Sequence, residues 1–166
     1  LVQKTTATVQ PEIVFHLAAQ PLVRRSYEAP LDTATTNILG TAHVLEALRV
    51  HQNNCPVVVV TSDKCYENDG SDYAFGETDS LGGHDIYSAS KAAAEIMTAS
   101  WRRAYRGRIA TARAGNVIGG GDYGEDRIVP DCIRALLAGT SIAVRNPAFT
   151  RPWQHVLDCL SGYLWL

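Results

Sequence analysis

The sequence of 166 residues lacks a strong charge of either sign and lacks long apolar runs. Its 15 basic and 17 acidic residues give a formal net charge of −2, and no basic patch stands out, so nucleic acid is a poor candidate partner. No apolar run approaches the length of a membrane span, which argues against a membrane protein. With 46% hydrophobic and 19% charged residues, the chain fits one soluble domain with an adequate core.

Cysteine pairs at metal-binding or redox spacing are also missing. None of the four cysteines forms a Cys-x-x-Cys pair with another, and the five histidines are scattered. Disulfides and a metal site are therefore both unexpected. We expect reduced thiols in a cytoplasmic protein. The cysteines are Cys55, Cys65, Cys132 and Cys159.

A third absence is the glycine signature Gly-x-Gly-x-x-Gly, which normally opens a dinucleotide-binding sheet. The glycines at 119–121 do not lead directly from a strand into a helix, so they predict a mobile loop. The final predicted helix stops at Trp165 and Leu166, whose apolar side chains need a packing partner. We therefore expect a fragment that lacks a glycine-rich first half-sheet and most of a terminal lobe.

Apolar runs and helical spacing predict the secondary structure. Buried strands are expected at 13–19, 57–60 and 108–113, with a further short strand at 141–144. Helices are expected at 1–10, 31–50, 85–105, 128–138 and 155–166. Long loops, polar or rich in glycine, are expected at 65–84 and 115–126.

Strands that alternate with helices predict a parallel, doubly wound α/β sheet. Ligands of such sheets bind at the carboxyl ends of the strands. Here those ends are followed by Ala18-Ala19-Gln20, Ser62-Asp63-Lys64 and Gly115-Asn116. We expect residues 1–140 to form part of a cofactor-binding domain and residues 141–166 to begin a substrate-binding region.

Tyr87 and Lys91 lie four residues apart in the predicted helix at 85–105, so they share one face of it. An ammonium beside a phenol favours the phenolate. A tyrosine tuned in this way exchanges a proton with a substrate hydroxyl near neutral pH. The same spacing also occurs in helices where the tyrosine only packs, so its meaning depends on the motifs around it.

Several motifs in one order resemble the extended short-chain dehydrogenase/reductases that act on nucleotide sugars. The resemblance covers essentially the whole chain and implies a Rossmann-like fold and NAD as cofactor. It also implies that residues 1–166 alone bind NAD⁺ weakly, because the phosphate-binding glycine loop is absent. The motifs are His16-Leu17-Ala18-Ala19, the valine run before Ser62, Tyr87-x-x-x-Lys91, and Arg113-Ala114-Gly115-Asn116-Val117-Ile118-Gly119.

Within that family the acid after the serine is typical of the 4,6-dehydratases. The segments at 61–68 and 151–156 resemble those dehydratases whose substrate is CDP-glucose. By this resemblance the product is CDP-4-keto-6-deoxyglucose, NAD is regenerated in each turnover, and the pathway is deoxysugar biosynthesis, as for O-antigen and lipopolysaccharide. Two rivals stay open: a nucleotide-sugar epimerase or a dehydratase for another nucleotide, and a non-catalytic nucleotide-sugar-binding module.

The resemblance implies catalytic roles for five residues. Tyr87 is the base that takes the O4 proton, and Lys91 assists it and holds the nicotinamide ribose. Ser62 orients O4 by a hydrogen bond. Asp63, in its protonated form, is the acid for the departing hydroxyl, which requires burial. Lys64 is either a neutral base at C5 or a charged group that stabilises the enolate, and the sequence does not decide between these roles.

The remaining implied contacts lie after the first and third strands. Ala18, Ala19 and Gln20 are expected to line the cofactor together with Tyr87 and Lys91, because small side chains let it approach. Asn116 and Arg151 are expected to bind the sugar or the diphosphate of the substrate, together with Ser62. Relatives often form dimers through two helices per subunit, so a homodimer or higher homo-oligomer through helices 31–50 and 85–105 is expected.

Overall fold

A computed structural model of the chain describes residues 1–51 and 53–166. It divides into two compact units, residues 1–114 with Leu166, and Gly115–Trp165. The predicted division into a cofactor-binding part at 1–140 and a substrate-binding part at 141–166 is a functional one, and it stays a prediction. In the part of the chain that the structure describes, no helix combines the length and apolarity needed to cross a membrane.

The first unit is a three-stranded parallel sheet with helices. Its elements are α1 (Val2–Val9), β1 (Val14–His16), α2 (Val23–Glu28), α3 (Pro30–Ala34), a π turn (Thr35–Leu39), α4 (Gly40–Val50), β2 (Val57–Val60), a 3₁₀ turn (Asp63–Cys65), α5 (Ile86–Tyr105) and β3 (Ile109–Ala112). The strand order is β1-β2-β3, and all pairs are parallel. This arrangement confirms the predicted Rossmann-like α/β class.

The core of the first unit lies between α4 and the sheet. Leu45 and Leu48 of α4 pack against Val57 and Val59 of β2, and Trp101 of α5 packs on the same cluster. Each such apolar side chain contributes about 1.5–3 kcal/mol when it is fully removed from water. The valine run therefore anchors the strand whose carboxyl end carries Ser62.

The second unit contains a two-stranded parallel sheet and two helices. Its elements are β4 (Asn116–Ile118), α6 (Ile128–Leu137), β5 (Trp153–His155) and α7 (Val156–Trp165). Asn116 is paired with Trp153, and Ile118 with His155. Helix α6 ends as predicted before Gly139, whose φ of 65° is the left-handed conformation that glycine adopts without strain.

Several predicted elements need correction. The strand predicted at 13–19 is only β1, and Ile13 and Leu17 are about half exposed. In the described part of the chain β1 pairs on one side only, with β2, so fewer of its side chains are covered than in a central strand.

The second unit also differs from prediction. The strand expected at 141–144 is wrong: all four residues are described and none is in a strand. The loop predicted at 115–126 instead contains β4, and β4 pairs with β5, which was not predicted. Strands of three residues carry too little periodicity to be recognised, since pairing with a distant segment decides them.

The helix predicted at 31–50 is confirmed, but it contains an irregular turn. Across the π turn, the N–H of Gly40 donates to the carbonyl of Thr35, five residues earlier. One extra residue is thereby accommodated in the helix, as in the single-turn π bulges found at functional sites. Helix α2 was not predicted, since six residues are too few for a helical pattern.

Candidate functional site

The carboxyl end of β2 continues as ordered backbone into the 3₁₀ turn. The N–H of Thr61 donates to Ala112 at 2.8 Å, and the N–H of Asp63 donates to Ala114 at 3.0 Å. These bonds extend the contact with the β3 chain past the end of the strand. Ser62, which lies between them, is 6% exposed and held in an extended conformation.

The side chain of Ser62 organises the turn that follows it. Its hydroxyl donates to Oδ1 of Asp63 at 3.1 Å and accepts the N–H of Lys64 at 3.2 Å. Asp63 is half-buried, whereas the Lys64 side chain is exposed to water, and the predicted role of Asp63 as an acid stays a prediction. The three predicted catalytic residues of this segment therefore share one small hydrogen-bonded turn.

Helix α5 begins at a well-formed cap. The Asp85 carboxylate accepts the N–H and the hydroxyl of Ser88, each at 2.8 Å. Such a cap stabilises a helix by about 1 kcal/mol. It fixes the first turn, in which Tyr87 lies 8% exposed. The helix packs against the 3₁₀ turn after β2.

Lys91 lies one helical turn after Tyr87, on the same face, and is 6% exposed. Its ammonium donates to the carbonyl of Val60, the last residue of β2, at 3.2 Å. Burial lowers the pKa of Lys91, and the charge of Glu95 offsets part of that effect. The predicted pair is therefore buried and attached to the strand end that carries Ser62.

The three predicted cofactor residues after β1, Ala18, Ala19 and Gln20, differ in their exposure. Ala18 is exposed and Ala19 half-buried, so small side chains flank this strand end. The Gln20 side chain is buried and used internally: its amide nitrogen donates to Leu22 and Thr33, and its oxygen accepts the N–H of Leu22. A cofactor contact for these three residues stays a prediction.

Asn37, in the π turn, connects that segment to α5. Its side chain accepts the N–H of Gln20 at 2.8 Å and donates to the Gln20 carbonyl at 3.1 Å. It also donates to the Ser90 hydroxyl at 2.9 Å, and that hydroxyl donates to the Tyr87 carbonyl. Asn37 thus positions both the segment after β1 and the first turn of α5; the sequence suggested only a bond to backbone for this residue, not the link to α5.

His16 lies at the end of β1, close enough to Lys91 for the Lys91 charge to disfavour protonation of the imidazole. The imidazole forms a hydrogen bond with the Thr41 hydroxyl at 3.1 Å. Burial, and then the Lys91 cation, lower the pKa of His16. The imidazole is therefore neutral at physiological pH, which spares Lys91 a second buried positive charge.

A second buried group that sequence reasoning missed is Glu95, one turn beyond Lys91 and 3% exposed. It pairs with Arg113 at 3.0 Å. Its position four residues after Lys91, on the same face of the helix, is the sequence signal that points to it. The described residues contain no group of three or more His, Cys, Asp and Glu side chains placed to hold a metal ion.

The predicted substrate residues Asn116 and Arg151 both lie in the second unit. The N–H of Asn116, at the start of β4, donates to the Pro152 carbonyl at 3.1 Å. Arg151 is exposed, and its guanidinium lies 5.3 Å from the centre of the Phe149 ring. The pairing of β4 with β5 therefore brings these two predicted residues near each other, and their role toward a substrate stays a prediction.

Comparisons with known proteins agree with the motifs. The chain is 45% identical to the CDP-glucose 4,6-dehydratase of Salmonella typhimurium over 98% of this chain and 48% of that protein. It is 32% identical to the dTDP-glucose 4,6-dehydratase of Neisseria gonorrhoeae over 92% of this chain and 46% of that protein. The chain thus spans about half the length of the curated relatives it matches.

A solved structure and a family model also match the chain. The UDP-glucose 4-epimerase of Thermotoga maritima, solved with UDP-glucose, has a similar fold, with a TM-score of 0.89 and 24% identity over 98% of this chain and 54% of that chain. Residues 1–166 match the model of the NAD dependent epimerase/dehydratase family. The chain therefore belongs to the NAD dependent epimerase/dehydratase family.

Proposed function

We propose that the protein containing this chain is a CDP-glucose 4,6-dehydratase, which converts CDP-glucose to CDP-4-keto-6-deoxyglucose with loss of water. The observation that carries the proposal is the buried Tyr87–Lys91 pair, attached through Val60 to the strand end that holds Ser62 and Asp63. The 45% identity to the Salmonella enzyme of that activity supports the choice of substrate.

The residues present fit a bound NAD. Ala18, which is exposed, and Ala19, which is half-buried, follow β1, and their small side chains offer little steric hindrance to a cofactor. Tyr87 and Lys91 offer a hydroxyl and an ammonium that suit ribose hydroxyls. When bound, NAD accepts a hydride from C4 of the sugar and gives it back at C6.

The first proton transfer is assigned to Tyr87. Its phenolate takes the proton of the sugar O4, and Lys91 keeps the phenolate favoured by its positive charge. Ser62 donates a hydrogen bond that orients O4, in place of the bond that it makes to Asp63 in this structure. A ketone at C4 then makes the C5 proton acidic enough for elimination.

The elimination is assigned to the turn after β2. The half-buried Asp63 carboxyl donates a proton to the hydroxyl that leaves C6. The side chain of Lys64 is exposed to water, and desolvation is the effect that favours a neutral amine. This supports stabilisation of the enolate by Lys64, with the C5 proton passing to solvent water, over removal of that proton by a neutral amine.

The test uses the complete protein with CDP-glucose and NAD⁺ in heavy water, followed by the mass of the product. Loss of one water with gain of one deuterium is the expected result, because C5 is protonated from solvent. A new isomer of unchanged formula would indicate an epimerase instead. An unaltered substrate would reject CDP-glucose, and the same assay with dTDP- and UDP-glucose would then follow.

We further propose that the protein is a cytoplasmic homodimer or higher homo-oligomer. Exposed apolar side chains on the helices at 31–50 and 85–105 support self-association: Leu39 is 50% exposed and Ile96 is 55% exposed. Light scattering of the Leu39→Glu, Ile96→Glu variant is expected to give a monomer mass. All four cysteines are free thiols, in line with a reducing compartment.

A further inference from the structure

The carboxylate of Glu95 joins three elements at one buried point. It accepts the hydroxyl of Thr61, which follows β2, and the hydroxyl of Thr111 in β3 at 2.9 Å. Arg113, just after β3, donates to it at 3.0 Å. The Glu95 carboxylate is 3% exposed and has three hydrogen-bond donors. Removal of a donor would destabilise the fold, because water could not reach the carboxylate to replace the lost bond.

Arg113 carries the connection on to the loop at 66–81. Its other terminal nitrogen donates to the Tyr66 hydroxyl at 3.1 Å and to the Glu77 carbonyl at 3.0 Å. The guanidinium also lies 5.0 Å from the centre of the Tyr66 ring, and Tyr66 stacks on Phe75 at 4.9 Å. One arginine therefore ties this loop to the carboxylate on α5.

The connected groups lie next to the proposed catalytic residues. Glu95, Lys91 and Tyr87 are spaced four residues apart on one face of α5. On the facing chain, Thr61 is the residue before Ser62. A hydrogen bond from Thr61 to Glu95 therefore sets how far along α5 the serine lies relative to the tyrosine.

We propose that Glu95 is a positioning residue for the reaction: it holds the Ser62 turn in register with Tyr87 and Lys91, and Arg113 extends this control to the loop at 66–81. This proposal depends on the proposed function only in that CDP-glucose is the substrate used to assay it. It concerns geometry that any reaction of Tyr87 and Ser62 on a shared hydroxyl requires.

The charge of Glu95 adds a measurable signature. Its carboxylate raises the pKa of Lys91 against the effect of burial. Removal of that charge therefore moves the loss of the Lys91 ammonium to lower pH. The titratable and charged groups around this point are Tyr87, Lys91 and Glu95 on α5, His16 on β1, Asp63 and Cys65 in the turn after β2, and Arg113 after β3.

The test compares two changes at one position in the complete protein. Glu95→Gln keeps the length of the side chain and removes its charge, whereas Glu95→Asp keeps the charge and withdraws the oxygens from Thr61. We expect each to lower kcat by about 10- to 100-fold with little change in KM, the size of effect that small misplacements cause. Only Glu95→Gln should move the basic limb of the pH profile to lower pH.

A matched control removes an exposed pair on another helix. Glu46→Gln breaks the surface bond to Arg49 and should leave kcat and the pH profile unchanged. Should Glu95→Gln fail to fold, Thr111→Val removes one hydrogen bond and keeps the carboxylate, with a smaller loss of kcat expected. Wild-type kcat and an unmoved basic limb in the folded Glu95→Gln protein would overturn the proposal.

A readout independent of turnover separates this proposal from the proposed function. NMR titration of the Lys91 side chain, assigned with Lys91→Arg, should show a lower midpoint in Glu95→Gln than in the wild type and an unshifted midpoint in Glu95→Asp. An absence of turnover of CDP-glucose by the wild type would reject the substrate, whereas an unmoved Lys91 midpoint in Glu95→Gln would reject the role of Glu95.

Discussion

The ammonium of Lys91 lies 3.2 Å from the carbonyl oxygen of Val60, where β2 ends. A lysine that is 6% exposed has lost most of its hydration, and among the described residues it contacts this neutral acceptor and is influenced by the charge of Glu95. Burial of a charge with so few compensating contacts lowers the stability of the fold. Such a cost is typical of residues at functional sites, which agrees with the role proposed for Lys91.

Replacement of Lys91 by methionine should stabilise the fold at pH 7 by about 1 kcal/mol, as substitutions that relieve strained functional sites commonly do. Burial lowers the Lys91 pKa below 10.5 in the folded protein, so the unfolded chain holds the proton more readily. The cost is fully present below the folded-state pKa and is relieved as pH rises towards 10.5.

Urea unfolding of Lys91→Met and wild type at pH 7 and pH 10 measures this difference, which should shrink at the higher pH. Lys4→Met, at an exposed position of α1, is the control and should leave stability nearly unchanged at both pH values. A Lys91→Met protein that is less stable than the wild type at pH 7 would contradict the prediction.

Tyr87→Phe should abolish turnover by the complete protein yet largely spare nucleotide-sugar binding. The change removes one hydroxyl and leaves the ring, which is 8% exposed, in its packing position. Calorimetry for binding and the mass assay for turnover, run on the same preparation, test this. Unchanged turnover would remove Tyr87 from the proposed chemistry.

Gly83→Ala should destabilise the protein by about 1–3 kcal/mol, the usual cost of overpacking. A Cβ at position 83 would lie 2.4 Å from the backbone nitrogen of Ala89, in the early part of α5. The backbone of a helix cannot shift as a flexible side chain can. Gly120→Ala is the control, since no atom of the described residues beyond its chain neighbours lies within 4 Å of the added carbon. Equal melting temperatures for the two variants would refute the expectation.

Cys65 should resist alkylation. It is fully buried, and burial raises the pKa of its thiol to about 11, so at pH 8 about one thiol in a thousand is ionised. Cys132, half-buried on α6, is the internal comparison. Timed treatment with iodoacetamide and peptide mass spectrometry should show Cys132 modified at least about tenfold faster, and comparable rates would mean that the turn after β2 opens readily.

The parts of the fold that the sequence predicts well are those with a strong local pattern. Four consecutive β-branched valines between Pro56 and the polar residues that follow favour a buried strand, and β2 lies at 57–60 as expected. Helix α5 has a capping aspartate at its start and an alanine-rich interior, so both its type and its first turn were predictable.

The parts that escaped prediction depend on partners far away in the sequence. β4 and β5 are three residues each, and only their mutual pairing makes them strands. The bonds of Asn37 to Gln20 and of Glu95 to Arg113 span 17 and 18 residues. The motifs predict which residues act on a substrate, but the residues that hold them in place, such as Asn37 and Glu95, are identified by their contacts in the folded chain.

The π turn at Thr35–Leu39 constrains the length of the continuous helix formed by α3, the π turn and α4. Thr33 before it and Asn37 within it both bind Gln20. Deletion of one residue would restore an ordinary helical repeat and rotate one contact relative to the other by about 100°. Both bonds could not then reach Gln20. Insertions and deletions, which surface loops tolerate, should therefore not be tolerated in this helix.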